Sequence, residues 1–292
     1  MIHGVNYKEF EMKPIKFITT FSKTGYEVYG RTWIESFSKN VKDQNISADI
    51  YVDFPLSITD SRINLIDYNS VIPQHKSWIK EFESNYTGIM YNKKMGVRFS
   101  YKSFVMQHAL DNNSGCYLIW LDGDCIFKPD QSFSNFEELL LNNKFIAVQR
   151  EHVGGDDHCE SGFVLFDTDH QDKQKFNTQF KNNYKIDNII KMGSPYDGFI
   201  IYRSLNGIDY IDLNLGYGKG GIQSDPNETF LHPELNKRFL HNIGPGGKSK
   251  YDAWNTYSKT DEYFKLIQGK VKKSPGDIRQ IRQKLISIRN GK

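Results

Sequence analysis

Two aspartates separated by a single glycine, Asp122 and Asp124, stand directly after the apolar run CYLIWL at 116–121. A buried strand of this kind delivers both carboxylates to its exposed carboxyl end, where hard anionic oxygens suit Mg²⁺ or Mn²⁺. Such cations are commonly held by one or two carboxylates together with substrate phosphates. A strand-end Asp-Gly-Asp can therefore make an incomplete site that a nucleotide diphosphate finishes. The competing reading is an Asp-Gly hairpin turn between LIWL and CIF.

Two further groups could converge on the same diphosphate, and a third could serve the acceptor or the sugar. Arg98 and Lys102 lie four residues apart in a helical segment, so both side chains leave one face and could grip an anion together; the alternative is a solvated basic face beside Lys93 and Lys94. The string HNIGPGGKSKYDAW offers His241 as a neutral imidazole ligand for Mn²⁺. In the same string the glycines, Gly244 among them, let backbone N–H groups approach phosphate, and Lys248 or Lys250 could neutralise the leaving group. Glu160 in HCESGFVLFD and Asp197 in SPYDGFIIY are candidate catalytic carboxylates, as general base on an acceptor hydroxyl or as a charge facing an oxocarbenium-like sugar. Asp156, Asp157 and His158 crowd the Glu160 loop, and Ser161 follows it, so the base is not singled out. Asp197 could equally be a turn residue before Gly198.

These side chains need a scaffold. IKFITTF at 15–21 predicts a strand, residues 26–39 a helix, ADIYVDF at 48–54 a second strand, and 98–110 another helix before the 116–121 strand. Short buried strands alternating with helices indicate an α/β sheet of doubly wound type, with ligands at the carboxyl ends of its strands. Beyond Asp124 the pattern becomes mixed. FIAVQR, SGFVLFD, GFIIYRS and IDYIDL read as strands, and 169–191 as a polar helical stretch.

The order strand, helix, strand, helix, then an apolar strand closed by Asp-x-Asp resembles, over roughly 15–125, the GT-A class of nucleotide-sugar glycosyltransferases. The His241–Gly244…Lys248 string resembles the His-x-x-Gly-x-x-Lys element of glycosyltransferase family 8, with one extra residue before the lysine. The resemblance implies a GT-A-like, Rossmann-type mixed sheet flanked by helices, in a single catalytic domain at 15–255 preceded by an N-terminal arm at 1–14. It implies that Asp122, Asp124 and His241 hold Mn²⁺ or Mg²⁺. It implies donor contacts from Thr19, Thr20, Phe21 and Tyr26 at the first strand's end, from Arg98 and Lys102, and from Gly123, Gly244 and Lys248. Family 8 likeness also implies retention of anomeric configuration.

The remaining features bound partners and location. No run approaches the roughly 18 apolar residues of a membrane span and the N-terminus lacks a signal's apolar middle, so a cytoplasmic protein is expected. Cys116, Cys125 and Cys159 form no Cys-x-x-Cys pair and are expected to be reduced thiols. Net charge is +3, but residues 270–292 carry eight basic side chains against the single acid Asp277, leaving the rest of the chain net acidic. Ile278, Ile281, Leu285 and Ile288 form one stripe there, so the tail at 256–292 reads as a basic amphipathic helix for an anionic membrane, a nucleic-acid backbone, the protein's own core or a partner subunit. The acceptor therefore stays open between a surface or lipid-linked glycan and a modified DNA base, and a homo-oligomer is among the open states. A metal-dependent nucleotidyltransferase and a non-catalytic nucleotide-sugar-binding module are the other two readings.

Overall fold

The computed structural model describes residues 13–88, 90–129, 132–133, 139, 143–150, 158–214, 230 and 232–241. The basic tail, Gly244, Lys248, Lys250, Asp156, Asp157 and most of the N-terminal arm lie outside the described residues.

A seven-stranded sheet in the order β3-β2-β1-β4-β7-β6-β8 organises the protein. Its strands are β1 (Ile15–Phe21), β2 (Ile46–Val52), β3 (Ile63–Asp67), β4 (Tyr117–Leu121), β6 (Ile146–Arg150), β7 (Cys159–Asp167) and β8 (Tyr210–Asp212). β1 to β4 pair in parallel, and β7 alone runs against its neighbours β4 and β6. β4 is apolar throughout because both its faces are covered: Leu118 and Trp120 enter one core layer, Ile119 and Leu121 the other. The mixed α/β architecture expected from the sequence is the one found.

One layer is built by α4 (His75–Asn85), α5 (Met90–Asn112), α6 (Lys173–Asn183), α7 (Ile186–Met192) and α8 (Asp197–Arg203). Along α4, Trp78, Phe82 and the C-capping Tyr86 stack at four-residue spacing, with centroids 4.9 Å apart at each step. The opposite layer holds α2 (Arg31–Asn40) and a two-stranded antiparallel ribbon of β5 (Cys125–Phe127) and β9 (Phe239–His241), the latter preceded by α9 (Pro233–Arg238). Phe127 meets Phe17, Trp33 and Phe37 at 5.0–5.3 Å, edge to face. Each such ring is worth about 1.5–3 kcal/mol by burial, enough to pin the ribbon against α2 and β1.

Two sequence expectations change. GFIIYRS is the helix α8, not a strand: Asp197, Gly198, Ile200 and Ile201 are buried with Leu205 beyond them, a helical spacing that the β-branched pair disguised. The 169–191 stretch divides into α6 and α7 around Tyr184 and Lys185. Among the described residues, no helix is long and apolar enough to cross a membrane.

Candidate metal and donor site

The carboxyl end of β4 meets β5 in a tight turn, in which Cys125 N donates to Asp122 O at 3.0 Å. The turn is real, but it closes no β4–β5 hairpin, since β5 pairs with β9 instead. A side chain at Gly123 would press to 2.6 Å on the Phe21 ring and 2.9 Å on Tyr29, so only glycine lets the turn sit on β1's end.

The turn sends the two acids to different neighbours. Asp122 keeps a quarter of its side chain exposed, and its Oδ1 accepts from Trp120 Nε1 at 2.7 Å and from Lys102 Nζ at 2.8 Å. Trp120 and Asp122 are two residues apart and share a strand face, which is why the indole can hold the carboxylate. Asp124 is buried, and its Oδ1 lies 3.3 Å from His241 Nε2, while Asp122 Oδ2 lies 3.9 Å from the same nitrogen. The β5–β9 ladder sets this meeting by placing His241 opposite Cys125. Phe230 stacks on the imidazole at 5.1 Å, and a Cβ at Gly162 would come within 2.5 Å of its Cε1. Burial alone would lower the His241 pKa, but the hydrogen bond and charge of Asp124, with Glu160 and Asp122, raise it above the usual histidine value.

On the other side of Asp122, Lys102 is the hub. Its Nζ donates to Ser161 O and Ser161 Oγ at 2.9 Å and pairs with Asp197 Oδ2 at 2.9 Å. Ser161 Oγ in turn donates to Asp197 Oδ2 at 2.8 Å. Burial works to lower the lysine pKa, yet the two carboxylates carry it above the ordinary value. Asp197 opens α8, which seats on β7 only because residue 198 is glycine: a Cβ there would collide with the Cys159 carbonyl oxygen.

Glu160 lies on the His241 side, its Oε1 accepting from Gly162 N at 2.8 Å. Burial, with Asp122 adding, raises its pKa against the opposing charges of His241 and Lys102. Asp122, Asp124, Glu160, Asp197, Lys102 and His241 are thus one electrostatic cluster. Arg98, predicted to act with Lys102, is exposed while Lys102 is buried, and its charge acts on Tyr29 together with those of Asp124 and Asp122. At β1's end Thr20 Oγ1 donates to Tyr51 O, Thr19 is fully buried, Phe21 floors the Gly123 turn, and Tyr26 packs on Phe54 under the Arg31 guanidinium. Sequence reasoning passed over Cys125, Trp120, Tyr29 and Phe230. Only Cys125 and Trp120 carried a signal, in their adjacency to the acids.

Asp124 Oδ1 and Asp122 Oδ2 approach His241 Nε2 to 3.3 and 3.9 Å, and two carboxylates with an imidazole are donor types that fit a divalent cation such as Mn²⁺. The mixed seven-stranded sheet flanked by helices is the GT-A-like fold expected from the sequence. No protein-family model matches the sequence, and no curated protein matches it. Among solved structures it is similar to the galactosyltransferase LgtC in complex with donor and acceptor sugar analogues. That likeness has a TM-score of 0.51 and 14% identity, covering 91% of this chain and 99% of that one. An active-site mutant of LgtC gives a TM-score of 0.50 at 14% identity, over 90% and 99% of the two chains. At this identity the likeness is one of fold.

Proposed function

We propose that the protein is a metal-dependent glycosyltransferase that moves a sugar from a nucleotide-sugar donor to a hydroxyl acceptor, with retention of anomeric configuration. The observation that carries this reading is the 3.3 Å approach of His241 Nε2 to Asp124 Oδ1 at the carboxyl end of the central strand, with Asp122 beside them. Chain segments distant in sequence bring an imidazole and two carboxylates together at the carboxyl end of a central strand, where α/β folds take ligands. Asp122, Asp124 and His241 would hold Mn²⁺ or Mg²⁺, which when bound offsets the charge developing on a departing diphosphate.

The chain's own groups divide the remaining work. Lys102 and Trp120 fix Asp122 through Oδ1 and leave its Oδ2 turned towards His241. Asp197, held in place by Lys102 and Ser161, presents its carboxylate where it would favour positive charge on a sugar ring. Glu160, whose pKa burial raises, is the group suited to hold a proton, at Oε2, since Oε1 is engaged by Gly162 N. Arg98, exposed beside Tyr29, is available to donor phosphate.

The experiment is metal-stimulated release of nucleoside diphosphate from a panel of nucleotide-sugars, preceded by a thermal-shift screen of that panel with and without Mn²⁺. Asp122→Ala and Asp124→Ala are expected to abolish the stimulation, and unchanged release would remove the metal assignment. Turnover of nucleoside triphosphates in place of nucleotide-sugars would replace the reading with nucleotidyl transfer. The anomeric configuration of the product, read by NMR, tests retention.

A further inference from the structure

Asp124 and His241 belong to two donor sets that differ in their third member. With Asp122 the third donor is a carboxylate oxygen; with Cys125 it is a sulfur. One donor atom from each of Asp124, Cys125 and His241 lies within 4.8 Å of the others, and all three residues are buried. The sulfur is not there by sequence adjacency alone. Cys125 is the direct cross-strand partner of His241 in the β5–β9 ladder, so both side chains rise from the same face of the ribbon. The thiol is free, its residue fully buried. Mg²⁺ and Mn²⁺ favour carboxylate and water oxygens and have little use for this sulfur, whereas thiolate, imidazole and carboxylate are together the ligand types of four-coordinate Zn²⁺.

We propose that the pocket is also a thiophilic cation site, in which Asp124, Cys125 and His241 bind Zn²⁺ and displace the harder cation. On binding, the S–H bond of Cys125 breaks, the proton passes to solvent and a sulfur lone pair forms the bond to the metal, with no change of oxidation state. The inference rests on the metal site of the proposed function, and not on glycosyl transfer.

Co²⁺, a spectroscopic stand-in for Zn²⁺, tests it in the full-length protein. The expected result is a sulfur-to-cobalt charge-transfer band in the near ultraviolet that is absent from both Cys125→Val and Cys125→Ser. Zn²⁺ affinity by competition titration should fall in both variants by about tenfold or more, the least that loss of a direct ligand entails. Mn²⁺ affinity, followed by electron paramagnetic resonance, should stay where it was. Two variants are used because valine keeps the apolar packing and serine the size, and metal-free melting shows which of them folds. Co²⁺ bound without the band, or Zn²⁺ affinity unchanged in a folded variant, overturns the proposal while leaving Mn²⁺ binding and the proposed function standing. Failure of every cation to bind overturns both.

Discussion

Lys102 Nζ sits 2.9 Å from Asp197 Oδ2 and 2.8 Å from Asp122 Oδ1, so one buried ammonium joins α5 to the first turn of α8 and to the end of β4. Removing it leaves the buried Asp197 carboxylate and the part-exposed Asp122 carboxylate facing each other without the cation between them. Breaking a buried pair from one side typically costs about 3–5 kcal/mol. Lys102→Met is therefore expected to lower stability by about that amount in chemical denaturation. Adding Asp197→Asn should return part of the loss, a coupling that a double-mutant cycle reads directly. Additive effects would show that Lys102 and Asp197 do not depend on each other.

Gly198 makes that bridge possible. The obstacle to a side chain there is a backbone carbonyl, that of Cys159, which cannot rotate aside. Gly198→Ala should lift α8 from β7, lowering stability by about 1–3 kcal/mol and displacing Asp197 from Ser161 and Lys102. Melting temperature reads the first effect and donor binding the second. A variant with wild-type melting would mean that α8 is not seated as described.

His75 predicts an acid-sensitive core outside the acid cluster. Its Nδ1 meets Tyr68 Oη and its Nε2 meets Ser100 Oγ, both at 2.7 Å, within rings from Trp78, Tyr101 and Phe104. Burial pulls its pKa down to about 4 from the ordinary histidine value of about 6.5. Above about pH 6.5 the imidazole is neutral in folded and unfolded chains alike and its contribution is intact. As pH falls towards 4 the unfolded chain takes up a proton that the folded one refuses, so stability is lost across that window, on the order of 3 kcal/mol in total. Urea midpoints measured between pH 7 and pH 4 should fall more steeply for the wild type than for His75→Gln. Parallel curves would refute the assignment.

How far the sequence carries this structure depends on which physical signal each segment held. β1, β2 and β4 were legible because apolar runs of strand length alternate with helices, and the acid pair was legible because it ends one such run. The α8 helix was not: Phe199, Ile200 and Ile201 have strand propensity, and only packing on β7 through Gly198 decides for helix. β3 and α4 were passed over, although Trp78, Phe82 and Tyr86 held a helical spacing. Lys102 was legible as a helical neighbour of Arg98. Its burial between Asp122 and Asp197 was not, because that depends on which face of α5 the sheet covers. Cys125 read only as a reduced thiol because its partner His241 comes from a strand, β9, that is paired only in three dimensions.

Gly162 offers the sharpest test of how His241 is held. An added Cβ would lie 2.5 Å from His241 Cε1, 2.9 Å from Nδ1 and 3.0 Å from Glu160 Oε1. Its backbone is not in the left-handed region, so alanine meets no conformational penalty and the whole conflict falls on those two side chains. The imidazole cannot swing freely away, because Phe230 stacks against it at 5.1 Å. It must instead shift along the ring plane, changing the 3.3 Å distance from Nε2 to Asp124. Displacing a ligand through its supporting shell commonly costs about 10–100-fold in metal affinity. Gly162→Ala should therefore weaken Mn²⁺ binding by about that factor in paramagnetic titration, with a stability cost of about 1–3 kcal/mol. Because the effect passes through the imidazole, Gly162→Ala should add almost nothing to the loss already caused by His241→Ala. Independent, additive losses would show that Gly162 acts through Glu160 or the strand instead, and that His241 is not held by the groove between Gly162 and Phe230.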